Sequence, residues 1–175
     1  DVLRRNAIAA RIVPGEGAPA AAATFPAGGC EAISGDVSGL LVTRAQRLGD
    51  PAAFDVLPDL ISREPLGPLV RDGDPHWRSL VFWVVNALVE AEALGITSAN
   101  AEAMRSSPSP RIRRLLGGEP GLGGPLGLAD DWAFQVIRQV GNYGEVFERH
   151  LGAGSALRLQ RGLNALYDRG GLHYP

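Results

Sequence analysis

The stretch from Asp72 to Gly95 constrains this chain more than any other. It opens on Asp72-Gly73-Asp74-Pro75, a clear helix start. Asp74 is placed to accept backbone N–H groups as an N-cap, and Pro75 fits the first turn, where its missing N–H costs nothing. The helix runs to Leu94 and stops at Gly95, a residue suited to the left-handed C-terminal conformation. At about 20 residues it spans about 30 Å. Trp77, Leu80, Val81, Trp83, Val84, Val85, Leu88 and Val89 cover more than one of its faces. A helix apolar nearly all round has to be buried on most sides, so Trp77 and Trp83 are expected in the core. Asn86, in the middle of it, then needs a hydrogen-bond partner.

The chain before this helix reads as alternating α and β. Residues 1 to about 8 look like the end of a helix, Ala10 to Val13 like a short strand, and the Ala-rich run to Ala27 like a helix despite Pro19 and Pro26. Cys30 to Ile33 reads as a strand, followed by a helix from Ser38 to Leu48. Phe54 to Ile61 reads as extended, with Pro58 arguing for an edge or crossing strand. Glu64 to Arg71 is a second extended segment whose prolines forbid helix.

After Gly95 the pattern is helical: Thr97 to Arg105, a helix opened by Ser109-Pro110 and closed at Gly117-Gly118, one capped by Asp130 or Asp131 and running to Val140, and one opened by Asn142. Asn142-Tyr-Gly-Glu145 is a capping-box pattern, and His150 near that helix's end suits the dipole better than a metal. A last helix is expected over Ala156 to Tyr167, with Leu159, Leu163 and Leu166 on one face. The glycine-rich run Gly118 to Gly127 reads as a loop, since no strand leads into it. The boundary that matters lies at residues 56–71, where the alternation gives way to helices.

All 17 basic residues are Arg, which removes the P-loop, Schiff-base and protein-kinase chemistries that need a Lys. The lone Cys30 excludes an internal disulfide and a Cys-cluster zinc site, and His76, His150 and His173 lack ligand spacing, so no metal or other cofactor is expected. A net charge of -2 argues against a nucleic-acid partner. No apolar run reaches membrane-spanning length. With neither an initiating Met nor a signal peptide, a chain that starts Asp-Val-Leu-Arg-Arg is expected to be mature, trimmed or partial.

The candidate site lies in Gly28 to Leu40, where the turn Ser34-Gly35-Asp36-Val37-Ser38-Gly39 follows the Cys30 to Ile33 strand. Ligands of α/β proteins gather at the carboxyl ends of strands, and glycines let backbone approach them closely. Asp36 at that mouth is therefore a ligand carboxylate, an Asx-turn or a helix N-cap.

Four motifs in order carry a resemblance. Leu57-Pro-Asp-Leu-Ile-Ser-Arg-Glu-Pro-Leu-Gly-Pro-Leu-Val-Arg-Asp-Gly-Asp74, Gly95-Ile-Thr-Ser-Ala-Asn100, Gln139-Val-Gly-Asn-Tyr-Gly-Glu-Val-Phe-Glu148 and Arg161-Gly-Leu-Asn-Ala-Leu166 resemble the general L-amino-acid binding proteins of ABC transporters. These are a branch of the family 3 extracellular solute-binding proteins, with the type II periplasmic-binding-protein fold. The likeness is dense from about residue 56 and thinner before residue 28. It implies an α/β fold of two hinged lobes with an amino acid in the cleft between them, of which this chain resembles the second half. On that reading residues 1–62 end lobe two, 63–73 are the strand returning through the hinge, and 74–175 are the helical completion of lobe one.

The family pattern Cys-Asp-Ala-Tyr-Thr-Thr-Asp-x-Ser-Gly-Leu is similar to Cys30-Glu-Ala-Ile-Ser-Gly-Asp36-Val-Ser-Gly-Leu40. The resemblance implies that Asp36 binds the ligand's α-ammonium, with Ser34 and Ser38 as further ligand-binding residues. Ile33, Ser34 and Gly35 stand in place of Tyr-Thr-Thr, and Gly29 in place of the Arg usual before the Cys. For Cys30, pairing with a Cys in the other half and a small buried residue are equal readings. The implied function is periplasmic capture of an L-amino acid for an inner-membrane ABC permease, with no catalysis. The family's carboxylate-binding Arg and Ser/Thr donors have no counterpart here, so residues 1–175 alone are expected to bind weakly or not at all. Two other readings compete: a fragment acting through self-association or segment swapping by its exposed apolar surface, and an enzyme pairing Asp36 with Glu31 or Glu64.

Overall fold

Asp74 opens the long helix as its sequence requires: its carboxylate accepts the Trp77 N–H at 2.8 Å, and Pro75 occupies the first turn. The helix spans Pro75–Ala93 (α4 below). It ends in a Schellman motif, in which Ile96 N–H bonds Ala91 C=O at 2.8 Å and Gly95 N–H bonds Glu92 C=O at 3.1 Å. Gly95 takes φ +66°, the conformation that made a glycine necessary there. In this computed structural model, residues 2–15, 18–57, 59–62 and 65–175 are described. Two compact units emerge, Asp1–Leu66 and Gly67–Pro175.

The other helices, in chain order, are α1 Val2–Arg5, α2 Ala18–Thr24, α3 Val37–Arg47, then after α4 come α5 Ala101–Met104, α6 Pro110–Leu115, α7 Trp132–Val140 and α8 Tyr143–His150. Among the described residues no β-strand forms, and the sole strand-like pairing is an isolated parallel bridge between Leu166 and His173. The strands of the α/β expectation are therefore not seen among the described residues, whose regular elements are helices. Ala10 to Val13, Cys30 to Ile33 and the described parts of Phe54 to Ile61 carry no ladder, because a strand exists only through bonds to a neighbouring strand. Pro58, Arg63 and Glu64 lie outside the described residues.

The second unit is built on the C-terminal half of α4. Leu88, Ala91, Ile96, Ala101, Ile112, Leu116, Phe134 and Ile137 form one core cluster, drawing on α4, α5, α6 and α7. All the buried residues of α4 fall between Ala87 and Glu92. The first half of the helix is different: Trp77, Phe82 and Trp83 are 52%, 58% and 51% exposed. This corrects the expectation that Trp77 and Trp83 are core. The apolar surface is there, but within the unit the early turns are met by little more than the Gly124–Leu126 turn, where the His76 ring lies 3.0 Å from the Leu126 carbonyl, and full burial begins at Ala87. Asn86, half-buried, donates to the Phe82 carbonyl one turn back at 2.8 Å.

Side chains, more than helix length, hold the loops of this unit. The expected helix over Thr97 to Arg105 shrinks to Ala101–Met104, because Thr97 and Asn100 bond each other's backbone N–H (2.7 and 3.2 Å) and make a turn instead. Asp131 occupies the N-cap of α7 without a side-chain cap bond; its carboxylate takes the Gln135 amide at 2.7 Å. Asp130 is turned into the glycine-rich loop, where one oxygen accepts the N–H groups of Gly121 and Gly123, both at 2.9 Å. The expected helix over Ala156 to Tyr167 does not form. Two 3-10 turns, Gly162–Asn164 and Tyr167–Arg169, replace it, and positive φ at Arg158 (48°) and Gly162 (47°) takes the backbone out of helical space.

The first unit has little interior. Ala22, Thr43 and Leu48 are buried, the Phe25 and Phe54 rings meet at 5.2 Å, and α2 packs on α3. Ile12, Leu57 and Leu60 stand 76%, 72% and 60% exposed.

Candidate ligand-binding site

Asp36 is the N-cap residue of α3, in extended backbone (φ -60°, ψ 138°), and its carbonyl accepts the Leu40 N–H at 2.8 Å. Its carboxylate does none of the work usual at that position. It makes no side-chain cap bond, and no Asx-turn bond closes on it. The side chain is exposed and has no hydrogen-bond partner among the described residues. Two of the three roles open to Asp36, cap and Asx-turn, are therefore unused, leaving an exposed carboxylate at the head of a helix with no side-chain partner among the described residues.

Ser34 is exposed two residues before Asp36, and Ser38 is half-buried in the first turn of α3. Neither hydroxyl is bonded among the described residues, so the three sequence-predicted groups share one turn without tying one another up. Gly35 lies between them with room to spare: a Cβ built there meets only Leu40, at 3.7 Å. Gly29 is the opposite case, since a Cβ would stand 2.8 Å from the Thr24 methyl and 3.0 Å from its carbonyl oxygen, which explains why no larger residue sits before Cys30. Cys30 is half-buried and unpaired. Glu31, one of the two carboxylates considered as an acid–base partner, is exposed, and Glu64, the other, lies outside the described residues.

The second unit has a wide hollow of about 420 Å³ lined by Glu92, Thr97, Asn142, Gly144, Glu148 and Arg161, among others. Its principal polar groups are already committed. Arg161 makes two 3.0 Å bonds to the Glu92 carboxylate, Asn142 donates to the Ile96 carbonyl at 2.7 Å, and Glu148 accepts the Ala153 N–H at 2.9 Å. Glu92 and Arg161 thus satisfy each other, Glu148 has a backbone partner, and the Arg169 side chain also lines the hollow. Among the described residues no cluster of three or more His, Cys, Asp or Glu could hold a metal, and no helix is long and apolar enough to cross a membrane.

No family model matches the chain. It is 46% identical over 176 residues to the general L-amino acid-binding periplasmic protein AapJ of Rhizobium johnstonii, an alignment covering 99% of this chain and 51% of that protein. The chain is a homologue of the periplasmic amino-acid-binding proteins of ABC transporters. Other relatives agree. The glutamate/glutamine/aspartate/asparagine-binding protein BztA of Rhodobacter capsulatus is 49% identical over 151 residues, covering 86% of this chain and 44% of that protein. An ABC transporter periplasmic binding protein from Brucella ovis, solved with glutathione bound, superposes with a TM-score of 0.87 at 44% identity, over 99% of this chain and 54% of that one. The chain spans about half the length of each. The solute-binding class and the periplasmic compartment implied by the four motifs are those of these homologues, all binding proteins by name.

Proposed function

We propose that this chain is part of the solute-binding component of an amino-acid ABC transporter, and that Asp36 supplies the counter-charge for the ligand's α-ammonium. The observation that carries the reading is the 46% identity to a general L-amino acid-binding protein across 99% of the chain. The uncommitted carboxylate at the head of α3 supports the residue assignment. An ammonium leaving water requires a paired charge and hydrogen bonds, and breaking such a pair from one side costs about 3–5 kcal/mol. Ser34 and Ser38, in the same turn, are placed to contribute hydroxyls to the same head group.

The ligand is held in the interlobe cleft of the type II binding-protein fold, to which residues 1–62 contribute the end of lobe two, 63–73 the hinge crossing and 74–175 the helical part of lobe one. Closure of that hinge performs capture, no bond is made or broken, and the loaded protein delivers its ligand to a permease. The Brucella ovis relative holds glutathione, a γ-glutamyl peptide whose first residue keeps a free α-ammonium and α-carboxylate. Asp36 in its proposed role therefore suits a free amino acid and a γ-glutamyl peptide alike. The difference between them falls on the side-chain wall, where Ile33 and Gly35 stand in this chain.

The test is a graft. Residues 1–175 replace the matching stretch of the Rhizobium johnstonii relative, and the product is titrated calorimetrically with L-glutamate, L-glutamine, L-leucine and glutathione. Saturable binding of at least one of them is expected. A well-folded graft that binds none sinks the proposal.

A further inference from the structure

The tail of the chain closes on itself and on two helices through groups that leave one imidazole in an exposed position electrically. Arg161 is bonded twice to Glu92 of α4 and twice, at 2.8 and 3.3 Å, to the Asn164 carbonyl. Its guanidinium also lies 5.4 Å and 5.1 Å from the ring centroids of Tyr143 and Phe147 on α8. Beyond it the backbone folds back: Leu172 N–H bonds the Leu163 carbonyl and Tyr167 N–H the His173 carbonyl, both at 2.9 Å, while His173 N–H bonds the Ala165 carbonyl at 3.1 Å. Leu166, 2% exposed, is the residue the fold-back covers. The His173 ring rests on Tyr143, centroids 4.4 Å apart and planes tilted by 43°.

We propose that residues 163–173 form an acid-sensitive clasp, held shut by neutral His173 on Tyr143 and loosened when that ring gains a proton beside Arg161. The groups facing His173 are Arg161 from the tail, Glu92 from α4 and Tyr143 from α8. Both Glu92 oxygens are taken by Arg161, so an imidazolium has a second cation for a neighbour and no carboxylate of its own. Partial burial and then Arg161 hold the imidazole below its ordinary value, with Glu92 opposing. The sign follows. A freed tail binds its proton near the ordinary imidazole value of about 6.5, the closed tail only at lower pH, so closure is fully stable above about 6.5 and weakens as pH falls toward the closed-state value.

Hydrogen exchange on the full chain at about pH 7.5 and about pH 5, corrected for the intrinsic pH dependence of the chemical step, tests this across the His titration range. Protection of the Tyr167, Gly171 and His173 amides should fall measurably in acid, while α7 amides stay unchanged. His173→Phe keeps a ring on Tyr143 and removes the proton site, and its protection should not change with pH. Equal protection of the wild-type tail at both pH values, or an acid loss that persists in His173→Phe, overturns the proposal. Should that variant fail to fold, the wild-type His173 ring followed by NMR decides: a midpoint at or above the ordinary imidazole value also overturns it.

Discussion

Asp36, Asp50, Asp74 and Asn142 all stand at the N-terminus of a helix or 3-10 turn, and Asp36 differs from the rest. Asp50 accepts the Ala52 N–H at 3.0 Å, Asp74 the Trp77 N–H at 2.8 Å and Asn142 the Glu145 N–H at 2.9 Å. Asp36 caps nothing. Replacing it should therefore leave stability within about 0.5 kcal/mol of the parent, whereas Asp74→Ala should cost about 1 kcal/mol; urea unfolding of the two variants side by side shows which acid is structural. Gly35→Thr is expected to be equally mild, since its Cβ meets only ordinary van der Waals contact and φ there is not in the left-handed region. A drop of more than about 1 kcal/mol for it contradicts the open turn described here. Spacing alone made Asp36 one of three things. Its proposed role rests on the motif around it, and the structure shows only that the cap and Asx-turn roles are unfilled.

At the scale of elements, local chemistry was legible in the sequence and long-range pairing was not. The Asp74-Pro75 start, the Gly95 stop and the Asn142–Glu145 capping box all formed, because each depends on residues three or four positions apart. The Arg161–Glu92 pair joins residues 69 positions apart and left no mark in any pattern. Nor did the second use of Glu145, whose carboxylate takes the Ser98 hydroxyl and N–H as well as the Asn142 N–H, joining the α4–α5 corner to the start of α8. Strands failed for the related reason that alternation shows a face and cannot show a partner. The indole side chains of α4 failed because apolarity shows what needs cover and says nothing of which half is covered.

Two predictions belong at this scale. Glu92→Ala leaves the largely buried Arg161 cation unpaired and should cost about 3–5 kcal/mol by chemical denaturation, with the tail after residue 160 losing protection first. Glu145 is pushed up by burial, but the bonds from Ser98 and Asn142 and the nearby Arg149 outweigh that and hold it below the ordinary carboxylate value. A depressed folded value means that its contribution is present above the unfolded-state pKa and is lost as pH falls through the folded one. Glu145→Gln should accordingly be less stable than the parent at neutral pH, and the gap should close in strong acid. A gap that is constant across that range contradicts the assignment.

The whole molecule is two units, and the curated relatives it matches are about twice as long. A sparse interior in the first unit and a half-bare α4 in the second accord with the proposed place of these residues within a larger binding protein. The similarity to amino-acid-binding proteins was legible from four ordered motifs, while the lack of strands among the described residues was not. In the proposed function Asp36 meets the ligand's ammonium. The most direct measurement is calorimetric titration of the graft described above, with and without Asp36→Asn, together with each protein's thermal midpoint. Loss of the charge should weaken amino-acid affinity by at least about 100-fold, the scale of one side of a buried pair, with the thermal midpoint of the ligand-free protein unchanged. An Asp36→Asn graft that binds its amino acid as tightly as the parent contradicts the account.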